Sequence, residues 1–173
     1  MCENMIRKGR CGCCVIKKRC VCWEEPVRVR SPRPRCGYIP HIEGLSLEYG
    51  DCDNLAIAAS DPILFDELLT DDSWCTTYHE DCGCVKICRR GVYMIDWNVT
   101  VENPNNECLC FGIEVNDEVK DCSAINTAGQ IHGHALVRVT EVPTRIKLVN
   151  ASCKTVTLAP VKPAANFRIV SVD

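Results

Sequence analysis

Sixteen cysteines in 173 residues are the groups of this chain best equipped for chemistry. Thiolates bind soft metals, attack electrophiles and join to one another as disulfides. Cys11-Gly-Cys13-Cys14, then five residues, then Cys20-Val-Cys22 place five thiols in twelve positions. Neighbours one or two apart in sequence rarely bond each other comfortably, because a disulfide wants its Cα atoms about 5.5 Å apart. Cys11, Cys13 and Cys14, and likewise Cys20 and Cys22, therefore seek partners elsewhere, a second copy of the chain included. The even total of 16 permits full pairing. Metal binding is the alternative, since four thiolates hold zinc tetrahedrally, with further thiols at Cys82, Cys84 and Cys88. Yet the doubled C-x₂-C spacing of a zinc ribbon is missing: Cys11 to Cys14 has it and no second such pair follows. Redox catalysis from Cys11 and Cys14 needs a helix N-terminus in a βαβ setting, which this chain does not offer.

Other constellations favour structural readings. His132 and His134 lie two apart and so share a strand face, where a pair of imidazoles meets a metal less often than solvent. Asp66, Glu67, Asp71 and Asp72 lack the spacing and glycine of a calcium loop and read as a solvated acidic edge. Asn98-Val-Thr100 and Asn150-Ala-Ser152 match glycosylation sequons but fall on or beside strand patterns. No nucleophile elbow or Cys/His pairing stands out. No catalytic residue, metal site or cofactor is expected, and the protein is expected not to be an enzyme.

The charges divide the chain. Residues 1–36 hold ten Lys/Arg, three Asp/Glu and seven cysteines, a local charge of +7. Residues 37–91 hold three basic and eleven acidic residues, −8, and residues 92–173 seven and nine, −2. A basic arm precedes an acidic body. Arg7, Lys8, Arg10, Lys17, Lys18 and Arg19 would suit nucleic acid, but only Trp23 is present for stacking and no recognition-helix pattern follows. A solvated arm, or one that docks on the acidic surface of another copy, is favoured, with no nucleic-acid partner. Four prolines, Pro26, Pro32, Pro34 and Pro40, keep the segment extended. The boundary falls at Pro40: an arm over 1–40 and a domain over 41–173. No apolar run approaches the length of a membrane span. The charged start MCENMIRKGRCGCC has no h-region, so no signal peptide is expected.

From Gly91 onward strands are strongly marked. Tyr93, Ile95, Trp97, Val99 and Val101 share one face, and Met94, Asp96, Asn98 and Thr100 the other. After the turn ENPNNE, Leu109, Phe111, Ile113 and Val115 are expected inward and Cys108, Cys110 and Glu114 outward. HALVRVTEV, IKLVN, TVTLAP and NFRIVSVD follow as short strands between turns, the spacing of an antiparallel sandwich or barrel. Upstream, LSLEY, LAIAA and ILF are plausible strands, while DPILFDELL could instead open a short helix.

The run GVYMIDWNVTVENPNNECLCFGIEVNDEVKD resembles the C-terminal domain of collagen-like exosporium glycoproteins, a jelly roll akin to tumour necrosis factor and complement-type heads. The matching pieces are Gly91–Tyr93, Asn103-Pro104-Asn105, Val115-Asn116-Asp117, Lys147–Leu158, the closing NFRIVSVD and, upstream, DPILFDELLTDDS. The likeness spans roughly residues 36–173. Collagen Gly-X-Y repeats are missing, the cysteine-rich arm stands in their place, and Val142-Pro143-Thr144 replaces the usual Ala-Gly-Asp turn. In this the chain resembles cysteine-rich spore-surface proteins that polymerise into exosporium layers or appendage fibres. The resemblance implies an all-β antiparallel jelly-roll sandwich behind an extended arm, and a structural role: self-assembly into a disulfide-cross-linked layer or fibre. Jelly-roll relatives often form trimers, so it also implies a homo-oligomer, with other spore-coat or exosporium proteins as further partners. The arm positions implied to bond a neighbour are Cys2, Cys11, Cys13, Cys14, Cys20 and Cys22, to which the outward Cys108 and Cys110 are added. Synthesis in the mother-cell cytoplasm, then exposure at an oxidising spore surface, would reconcile many cysteines with the missing signal. A zinc-binding thiolate protein and a receptor-type ligand-binding head are the two rivals.

Overall fold

The apolar face that alternation gives a sheet must be covered by another layer, and the computed structural model of the chain does this by stacking two five-stranded antiparallel sheets. It describes residues 43–51, 55–103, 105 and 107–172, and the backbone of a ribbon in which β1 (Arg7–Lys8) pairs with β2 (Cys14–Val15). The first sheet is built from β3 (Gly44–Tyr49), β5 (Glu67–Asp71), β8 (Gly91–Val101), β11 (Gly129–Val139) and β14 (Ala165–Ser171). The second uses β6 (Thr76–His79), β7 (Cys84–Ile87), β9 (Leu109–Val115), β10 (Glu118–Ile125) and β12 (Thr144–Asn150). A short bridge joins β4 (Ala56–Ile57) to β13 (Val156–Thr157). Strand order is β11-β8-β14-β3-β5 in one sheet and β10-β9-β12-β7-β6 in the other. Apart from the β3–β5 pair and the β6–β7 and β9–β10 hairpins, each strand of the two sheets is followed by one in the other layer, which makes this an antiparallel jelly roll.

The core lies where the two inner faces meet. Tyr93, Ile95, Trp97 and Val99 of β8, Phe167 and Ile169 of β14, and Leu45 and Leu47 of β3 come from one sheet. Phe111 and Ile113 of β9, Ile146 and Leu148 of β12, and Val85 and Ile87 of β7 come from the other. Each such side chain contributes about 1.5–3 kcal/mol by leaving water. The alternation expected of β8 is present: Tyr93, Ile95, Trp97, Val99 and Val101 are buried, and Met94 and Asp96 exposed. Close packing also fixes a small residue. A Cβ on Gly133 of β11 would stand 2.5 Å from Cζ2 of Trp97, so only glycine lets the indole lie flat on that strand.

Several expectations are corrected. DPILFDELL opens no helix; its last three residues, Glu67, Leu68 and Leu69, begin β5, and ILF lies in no named strand, the preceding Pro62 making an isolated bridge to Val149. Among the described residues the one helical turn is a 3-10 turn, Glu80–Cys82. β6, β7 and β10 were not marked by sequence. β10 is an edge strand with mixed exposure and a register shift between Val119 and Asp121, so it shows little apolar alternation. The β9–β10 hairpin turns on Asn116 and Asp117, both with positive φ (49° and 65°), residues whose short polar side chains tolerate that region. The boundary at Pro40 lies outside the described residues; the sandwich begins with β3.

Candidate functional site

Among the described residues no cleft gathers catalytic groups, so the sites of interest are the sheet faces, the sheet edges and the thiols. On the solvent side of the β11-β8-β14-β3-β5 sheet, Leu136 stands opposite Met94, and Met94 opposite Val170. Leu136 is 71% exposed and Met94 48%. The next row is polar, His134 opposite Asp96 and Asp96 opposite Arg168. His132 and His134 are both exposed. Among the described residues no group of three or more His, Cys, Asp or Glu is placed to hold a metal ion.

The β5 edge is acidic and, among the described residues, open. All five of its residues are exposed, Leu68 and Leu69 at 50% and 45%, and its only described sheet neighbour is β3. Asp66, Glu67, Asp71 and Asp72 are exposed along it, as the acidic-edge reading expects, and Asp66 accepts the Gly50 N–H at 2.8 Å. Where the described chain enters β3, Glu43 gathers three side chains. It accepts from the Trp74 indole N–H at 2.6 Å, pairs with Arg89 at 3.2 Å and accepts from the Cys75 thiol at 3.5 Å. The Arg89 guanidinium lies 5.7 Å from the Trp74 ring centre, and Tyr93 Oη donates to the Arg89 carbonyl at 3.0 Å. Burial, reinforced by the neighbouring Cys75, pushes the Tyr93 phenol well above its ordinary range.

The thiols of the described residues fall into two groups. Cys88, Cys108, Cys122 and Cys153 are exposed; Cys75, Cys82, Cys84 and Cys110 are buried. Cys108 is at the surface as expected. Cys110 is a correction: it is 0% exposed, because the segment after β12 folds over the outer side of β9. Ala151 packs on it, and Ser152 Oγ both accepts from the Cys110 N–H at 2.8 Å and donates to its carbonyl at 3.1 Å. A thiol so enclosed cannot meet a neighbouring chain in this conformation. Of the arm candidates, Cys2, Cys11, Cys13, Cys20 and Cys22 lie outside the described residues, and Cys14 is described only through its backbone pairing with Lys8.

Asn150, whose sequon match the sequence sets aside as chance, is a buried hub. Its amide donates to the carbonyls of Ile57 (2.9 Å), Ala58 (3.2 Å) and Lys154 (2.8 Å), and its oxygen accepts the Ser152 N–H at 2.9 Å. Lys147, on the same strand, is buried against Glu114 (2.9 Å) and Asp117 (3.5 Å). A lysine between two apolar core residues was the available sign, since a buried cation needs a carboxylate partner.

No protein-family model and no curated protein matches the chain. Solved structures do. The globular domain of a zebrafish complement 1qA protein superposes with a TM-score of 0.58 at 12% identity, over 76% of this chain and 98% of that one. An Eiger TNF from S. frugiperda gives 0.61 at 10% identity, over 76% and 93%, and murine APRIL at pH 5.0 gives 0.59 at 8%, over 76% and 99%. The sandwich is therefore a jelly roll of the tumour necrosis factor and complement type. At these identities the likeness is one of fold.

Proposed function

We propose that the chain is a structural subunit that assembles with copies of itself and is locked by disulfides between chains. The observation carrying this is the apolar row Leu136–Met94–Val170 on a solvent-facing sheet. Apolar side chains aligned across three strands, beside a polar row, fit a surface that a second copy covers. Two features add to it. The open acidic β5 edge complements a basic arm of charge +7 over residues 1–36, which suits strand addition by a neighbour's arm over 1–40. Exposed Cys88 and Cys108 on the body, with Cys2, Cys11, Cys13, Cys14, Cys20 and Cys22 in the arm, supply sulfurs for bonds between chains. Several tethers per subunit would make dissociation require many simultaneous breaks. An arm-to-edge contact is heterologous and closes to a ring or runs on as a filament according to its rotation. A spore-surface layer or appendage, filled from the mother-cell cytoplasm and then oxidised, is the setting that the resemblance to exosporium proteins suggests.

The test is electron microscopy of the full chain, untagged at its N-terminus, with and without reductant. Sheets or fibres that resist denaturant until reduced are expected. Discrete particles of one size under both conditions would overturn the assembly reading and favour a ligand-binding head.

A further inference from the structure

Cys82 and Cys84 flank Gly83 at the tip of the β6–β7 hairpin, and their sulfurs are 2.9 Å apart, Cys82 donating to Cys84. Along an extended strand, residues two apart are separated by roughly 6.6 Å, so a special turn is needed to bring them together. Gly83 supplies it. Its φ of 58° and ψ of 29° are left-handed, and its N–H closes the 3-10 turn onto the Glu80 carbonyl at 3.3 Å. Neighbouring chain fixes the turn: a Cβ on Gly83 would meet the Ile63 carbonyl oxygen at 2.8 Å and Leu64 Cδ2 at 2.9 Å. That 62–65 segment is itself clipped by Tyr78, whose hydroxyl accepts the Phe65 N–H at 2.7 Å and donates to the Phe65 carbonyl at 3.2 Å. The approach of the two sulfurs is thus imposed by the fold. The general rule that residues two apart seldom pair does not hold at this turn.

We propose that Cys82 and Cys84 are a redox pair, which a small peroxide converts to a disulfide within one chain. Cys82 is 6% exposed and Cys84 1%, so Cys82 takes the oxidant and Cys84 resolves it. The Cys82 thiolate attacks one peroxide oxygen; the O–O bond breaks, hydroxide leaves and takes up the thiol proton as water, and a sulfenic acid remains. The Cys84 sulfur then attacks the Cys82 sulfur, the S–O bond breaks, and the departing hydroxide leaves with the second thiol proton as water. Two thiols and one hydrogen peroxide give one disulfide and two waters. The oxidant must be small, since so little of Cys82 reaches the surface. Oxidation takes this pair out of the set available for bonds between chains, and leaves that role to exposed thiols such as Cys88 and Cys108.

The full chain, reduced and freed of reductant, is titrated with hydrogen peroxide, alkylated without reduction, and cleaved before Asp81 and after Lys86. This isolates both cysteines in one short peptide for mass measurement. The expected product is that peptide unalkylated and lighter by two hydrogens, while in the Cys84→Ser variant Cys82 is captured by dimedone as its sulfenic acid. In denaturant, where the turn is lost, the internal bond should fall to a minor product. Recovery of the peptide fully alkylated once Cys88 and Cys108 are oxidised, or of either cysteine bridged to another part of the protein, overturns the proposal. The wild-type measurement is decisive even if the variant fails to fold. It reads a bond inside one chain, so it stands or falls separately from the assembly reading.

Discussion

Leu136 on β11 and Met94 on β8 face one another across the strand pair with both side chains in solvent. Strand pairs of this kind usually present polar groups to water, and the adjoining His134–Asp96 pair does. In the assembly reading the Leu136–Met94 pair lies at a contact between copies. Leu136→Glu should leave the thermal midpoint of the isolated subunit nearly unchanged, because an exposed substitution stays within about 0.5 kcal/mol. It should weaken self-association at least tenfold, about 1.4 kcal/mol, measured by sedimentation under reductant. An unchanged association constant would remove this face from the contact.

Asn150 carries a different load. Its amide satisfies three carbonyls from two separate segments, so Asn150→Ala leaves Ile57 and Lys154 oxygens without that donor inside the protein. Each buried group so stranded costs about 1–3 kcal/mol. The expected loss is about 3 kcal/mol in urea unfolding of the reduced subunit, with little change in denaturant slope. A loss below about 1 kcal/mol would show that water replaces the amide.

These two positions mark what the sequence could and could not announce. The outer face of Met94 is legible because Tyr93–Val101 alternates over nine residues and one half of it is apolar. The same periodicity made β9, β11, β12 and β14 visible. β10 lies at an edge and carries Glu118, Lys120 and Asp121, so no apolar face betrays it. Cys110 looked outward by alternation, yet alternation reports only the direction of a side chain; it could not reveal that Ala151 and Ser152 return over that side of β9. For Asn150 the hydrogen bonds reach about ninety residues back along the chain, to Ile57 and Ala58, a separation that no local motif encodes. The Cys82–Cys84 approach had a local sign, the glycine between two cysteines, but its left-handed conformation became evident only in the folded hairpin.

Gly133 tests the packing of the inner faces. In Gly133→Ala the new methyl would sit 2.5 Å and 2.7 Å from two carbons of the Trp97 ring, so the indole must tilt within a filled core. Overpacking of this kind costs about 1–3 kcal/mol. Near-ultraviolet circular dichroism should change with the ring's position while the far-ultraviolet β signal persists. An unaltered aromatic spectrum at unaltered stability would mean the core holds slack at that point.

The Tyr78 hydroxyl makes the fold sensitive to alkali. Burial raises its pKa from 10 to about 12, opposed in part by the Phe65 backbone hydrogen bond and aided by nearby Glu80, Cys82 and Cys84. The folded chain therefore favours the neutral phenol more than the unfolded chain does. Its contribution is complete below pH 10 and fades as pH rises from 10 through about 12. At full strength that difference is worth roughly 2.7 kcal/mol, and solvent at the half-buried ring reduces it to about 1 kcal/mol. Tyr78→Phe removes the titration together with the clip on Phe65, so the variant starts less stable at neutral pH. The difference between wild type and variant should then narrow between pH 10 and 12, as read by urea unfolding of the reduced protein across that range. Parallel curves would show that the hydroxyl does not titrate with unfolding.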